Sequence, residues 1–229
     1  MLIESTKNYW PSTFRIKNKF TIAQIIDETT QILTKNNSFC VVGGPVYDIT
    51  TKVAYEVVMS VLHAKASTLL LNYSNNEINI TQQGLEIKNN TDFLMIKENF
   101  HSDIAYTKIP LPMLEEKLIN LKRQTGLSVV VINTLLGFLQ TTVGFDYEKN
   151  ESKIKDVLTI LRDILKRVNV SAIMIADFQY QTNEIWDTFQ FIDLPYSHVL
   201  QGIVDCSLLT YELEYRTYGG YYPEFVSPP

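Results

Sequence analysis

Apolar residues fall into two rhythms along this chain. Four continuous runs stand out: Phe39-Cys40-Val41-Val42, Ser67-Thr68-Leu69-Leu70-Leu71, Leu127 to Ile132, and Ser171 to Ala176. Short unbroken apolar runs bounded by turn residues predict strands buried on both faces. Between them the spacing changes to three and four. Ile22, Ile25, Ile26, Ile32 and Leu33 predict a helix over 21–33, and Val53, Val57, Val58, Val61 and Leu62 predict another over 52–64. Helices are also predicted over 113–124 and 151–168. The last turns Ile154, Val157, Leu158, Leu161, Ile164 and Leu165 inward, with Lys153, Lys155, Arg162, Lys166 and Arg167 outward. Phe93-Leu94-Met95-Ile96 reads as a short strand, and Pro110 and Pro112 punctuate the chain beyond it. Residues 1–20 read as irregular. Val204 to Leu213 and Tyr215 to Tyr222 read as two late strands.

Strands alternating with amphipathic helices imply an α/β fold: a mostly parallel central sheet with helices on both faces. The late strands, with no helix between them, would add an antiparallel C-terminal edge. At 229 residues, 45% apolar and 20% charged, the chain fits one globular domain. Its net charge of −5 argues against a broadly basic surface and leaves only local patches for nucleic acid.

Cys40 and Cys206 lie in apolar runs without metal-ligand spacing, so they read as buried free thiols of a reducing compartment. His63, His101 and His198 are scattered and read as surface or interface residues, so no metal is expected. No apolar run reaches the ~20 residues of a membrane helix, and Met1 to Ser5 lacks a signal-peptide pattern. An intracellular protein, cytoplasmic or nuclear, is expected.

One stretch carries candidate chemistry. The run Phe39 to Val42 leads into Gly43-Gly44-Pro45-Val46-Tyr47-Asp48-Ile49-Thr50-Thr51. The register fits G-x-x-x-x-G-K-[ST] from Gly44 to Thr51, a loop whose backbone N–H groups cradle phosphate and whose lysine neutralises it. Ile49 stands at the second glycine and Thr50 at the lysine. A β-branched residue resists the backbone angles that glycine adopts, and Thr carries no charge. Asn133-Thr134 comes directly after the run 127–132, and Asn72-Tyr73-Ser74 comes after Leu71.

In this order the motifs resemble the RecA-like ATPases, in particular the Rad51/RadA and KaiC-type branches, over about residues 20–215. The resemblance implies a RecA-like three-layer sandwich over 21–229, preceded by an N-terminal extension, 1–20. It places the loop at 43–51, a magnesium carboxylate at Asn133, a water-polarising glutamate just after Leu71, and a phosphate sensor at Asp177-Phe178-Gln179. Gly44, Ile49, Thr50, Thr51 and Asn133 are then positions of a degenerate nucleotide site, with no catalytic residue and no cofactor. The function implied is a non-catalytic assembly or accessory factor that supports a recombinase in homologous recombination and DNA repair. Its partner would be another RecA-like protein, in a hetero- or homodimer, with single-stranded DNA second.

Candidate DNA contacts are Arg15, Lys17, Lys19, Lys122, Arg123, Arg162, Lys166 and Arg167. Phe20-Thr21-Ile22-Ala23 resembles the F-x-x-A tether of Rad51-like proteins. Phe20 and Ala23, with Tyr218, Tyr221 and Tyr222 of the aromatic tail, are candidate partner contacts. Two alternatives stand beside this reading: an ATPase with relocated ligands Lys52, Glu77 and Asp177, and a KaiC- or archaellum-type scaffold unrelated to DNA.

Overall fold

A computed structural model of the chain describes residues 2–7, 22–35, 37–44, 47–73, 88–102, 108–144, 150–177 and 203–211. Thirteen elements are described, in the order β1 (Leu2–Lys7), α1 (Ile22–Lys35), β2 (Phe39–Gly44), α2 (Tyr47–His63), β3 (Ser67–Asn72), α3 (Asn90–Asn99), β4 (Phe100–His101), α4 (Leu111–Thr125), β5 (Leu127–Asn133), α5 (Leu135–Thr142), α6 (Glu151–Val168), β6 (Ser171–Asp177) and β7 (Cys206–Tyr211).

The strands form a 7-stranded sheet in the order β1-β7-β2-β6-β5-β3-β4. From β7 to β4 every pairing is parallel, and β1 joins β7 antiparallel. The successive side chains of each strand alternate between two cores. Val41, Leu69, Leu71, Val130, Ile132 and Met174 meet α4, α5 and α6 on one face. Cys40, Val42, Leu70, Val129, Val131 and Ile173 meet α1, α2 and α3 on the other. Burial on both faces is why these strands read as unbroken apolar runs.

Several expectations are corrected. The Phe93–Ile96 run is helical, inside α3, because the Asn89 side chain caps the helix by accepting from the Asp92 N–H at 2.9 Å. Only Ile96 of the four is buried, while Phe93 and Leu94 point outward. Residues 1–20 are not wholly irregular, since Leu2–Lys7 pairs with β7 from Leu2↔Tyr211 to Lys7↔Cys206. The antiparallel edge therefore comes from the N-terminal strand; the expected strand 215–222 lies outside the described residues. Helix α2 begins at Tyr47 rather than Lys52. Helix α5, capped by the Thr134 hydroxyl accepting from the Gly137 N–H at 3.1 Å, has no counterpart in the sequence pattern.

Cys40 and Cys206 are both free and buried, side by side in register on β2 and β7. Their mutual hydrogen bond, then burial, pushes the Cys40 thiol well above its ordinary pKa. Both remain unreactive thiols in the fold. Among the described residues no helix is long and apolar enough to cross a membrane.

Candidate functional site

In a parallel sheet a crevice opens outside the carboxyl ends of the strands, where neighbouring connections leave to opposite faces. Here β2 continues into α2 on one face, and β5 continues into α5 and α6 on the other. Strand β6 lies between them. The segments singled out in the sequence meet at this edge. Gly44 is level with Asp177, and Asn72 is level with Asn133.

The β2–α2 connection differs from a phosphate loop. β2 ends at Gly44 and α2 starts at Tyr47, so residues 45 and 46 alone join them. Ile49, Thr50 and Thr51 belong to turns of helix instead of a cradle of backbone N–H groups. With no glycine at 49, nothing in the sequence demands left-handed backbone there, and the helix extends back to Tyr47. The side chain of Ile49 lies outside the described residues. Thr50, at the lysine position, is fully buried. The Thr51 hydroxyl is buried and has no hydrogen-bond partner among the described residues.

The ends of β3 and β5 are tied together by neutral groups. The Asn133 side-chain amide donates to the Asn72 side-chain oxygen at 3.3 Å. Asn133 is fully buried. The Asn133–Thr134 peptide bond is cis. Behind it, the Tyr73 N–H donates to the Asn133 carbonyl, and the Tyr73 hydroxyl donates to the Ile109 carbonyl at 2.7 Å. The Tyr73 ring meets Phe138 edge-on, with centroids 5.2 Å apart. Burial raises the Tyr73 pKa, so the phenol stays protonated and donating. Gly137 sits directly on the Tyr73 backbone carbonyl, where a Cβ has no room. Helix α5 thus closes this corner from behind.

A magnesium–triphosphate group does not fit this donor set. It needs a charge-neutralising lysine, a wrapped loop and carboxylates beside the metal. The positions at hand supply a buried Thr, a connection too short to wrap, and an amide pair. Asp177 ends β6, and its side chain lies outside the described residues, as do Glu77, Phe178 and Gln179. Lys52 is exposed and lines a cavity of about 420 Å³ with Asp27 and Glu56, between α1, α2 and α3. That cavity lies on the α2 face, away from the Asn72–Asn133 corner.

Comparison with known proteins bears on the fold. No protein-family model matches the chain, and no curated protein matches it. Among solved structures, the ATPase domain of a RecA-like helicase matches with a TM-score of 0.58 at 14% identity, covering 77% of this chain and 70% of that one.

The fold is RecA-like.

On the RecA-like frame, the basic candidates fall at the opposite end of the sheet. Lys122 and Arg123 end α4, and Lys166 and Arg167 end α6, where cations complement the helix dipoles. Lys122 donates to the carbonyl of Asn169, the left-handed cap of α6, and its burial lowers its pKa. Arg167 grips Glu115 with two bonds of 2.8 Å, which lowers the Glu115 pKa and raises its own. Arg162 pairs with Asp205 at 2.6 Å. The other Asp205 oxygen accepts from the Phe39 N–H at 2.9 Å, so this carboxylate pins the starts of β2 and β7 to α6. Arg123 and Lys166 are exposed. Arg15, Lys17, Lys19, Phe20, Tyr218, Tyr221, Tyr222 and His198 lie outside the described residues. Ala23 is exposed in the first turn of α1.

The sequence reading missed two pairings. His63 bonds the buried Asp92 carboxylate at 2.9 Å. His101 Nε2 lies 2.9 Å from the Ser67 hydroxyl at the β3–β4 edge. The first had a signal: Asn89-x-x-Asp92 is a helix-capping spacing, which would have placed Asp92 in the first turn of a helix.

Proposed function

We propose that this RecA-like domain does not turn over ATP and serves as an assembly or accessory subunit beside another RecA-like protein. The hydrogen bond between Asn72 and Asn133 carries the reading. Catalysis of phosphoryl transfer is almost wholly positioning and charge stabilisation. At the two strand ends where the RecA-like resemblance places carboxylates for water and metal, this chain has amides that bond each other. Buried Thr50 and the short β2–α2 connection support the same reading from the phosphate side. So does Lys52, which faces the cavity rather than the crevice.

By analogy with the Rad51-type resemblance, the setting is DNA recombination and repair, with the subunit helping a recombinase on single-stranded DNA. Of the described basic candidates, Arg123 and Lys166 are the better contacts. Lys122, Arg162 and Arg167 already serve internal partners.

The test is purification of the chain from its native cell, with identification of the proteins that accompany it, and titration of the recovered complex with single-stranded DNA at several salt concentrations. A RecA-like protein in stoichiometric amount, and a log affinity that falls linearly with log salt, are expected. A motor or signalling partner with no salt-dependent DNA binding would contradict the proposal and favour the scaffold reading.

A further inference from the structure

We draw no further inference here: the strongest candidate, the cavity between α1, α2 and α3 where buried Asp92 holds His63, is rimmed by Ala23 and Lys88, each close to chain outside the described residues, and nothing in the structure shows what covers it.

Discussion

The Asn133 amide and the Asn72 side-chain oxygen meet at 3.3 Å across the ends of β5 and β3. The bond joins two neutral groups, and Asn133 is fully buried, so it satisfies polar capacity that water cannot reach. Asn133→Ala is expected to cost about 1–3 kcal/mol in urea denaturation, because it strips the pairing from a dry corner. A double-mutant cycle with Asn72→Ala should give a coupling of about 1 kcal/mol. Additive single effects would show that the two amides act independently.

Gly137 lies against the Tyr73 carbonyl, and a methyl group there meets backbone. Overpacking of a close-packed site costs about 1–3 kcal/mol when neighbours can shift. Gly137→Ala should reach or exceed the top of that range, because Tyr73 is held by the Ile109 carbonyl and by Phe138. Thermal unfolding checks it; an unchanged midpoint would mean that α5 does not press on β3 as described.

Arg162 and Asp205 form an internal bridge whose side chains are 24% and 32% exposed. Asp205→Ala should cost about 2 kcal/mol, since it also removes the acceptor for the Phe39 N–H. Arg162→Ala should cost less. Arg123→Ala and Lys166→Ala, at exposed sites, should stay within about 0.5 kcal/mol. Denaturant midpoints of the four variants separate basic residues that hold the fold from those available to a partner.

Burial at the β3–β4 edge lowers the His101 pKa from its ordinary value. A folded-state pKa below the unfolded one means that the neutral ring is favoured by folding. Its contribution is therefore fully present above the unfolded pKa of about 6.5 and is lost as pH falls through the lower folded value. A charged ring could no longer accept from Ser67. The melting temperature should fall as pH drops from neutrality through that window, and His101→Gln should flatten the fall. An equal slope in the variant would assign the acid sensitivity to other groups.

Most of the frame is legible in the sequence because the central strands are buried on both faces and the long helices keep a clean apolar stripe. Helix α6 matches its expected bounds for that reason. Legibility fails where local chemistry outweighs periodicity. Phe93–Ile96 looks like a strand by composition, yet the Asn89 cap makes it a helix with Phe93 and Leu94 facing out. Strand β1 mixes polar and apolar residues at an edge, so its pairing with β7 leaves little trace in the sequence.

At the candidate site, the residue types at 49, 50, 72 and 133 are readable, since a motif fixes their positions. That Asn72 and Asn133 bind each other is not, because 61 positions separate them and register decides their meeting. The glycine missing at 49 is visible in the sequence, but its consequence, a helix already running from Tyr47, appears only once the helix start is known.

The most direct measurement is phosphate release by the purified chain in saturating magnesium and ATP, alongside Lys52→Ala and Asn133→Asp. No release above the protein-free rate is expected from any of the three, because Asn133→Asp restores a carboxylate without restoring the lysine or the loop. Magnesium-dependent turnover by the unaltered chain, abolished by Lys52→Ala, would contradict the non-catalytic reading.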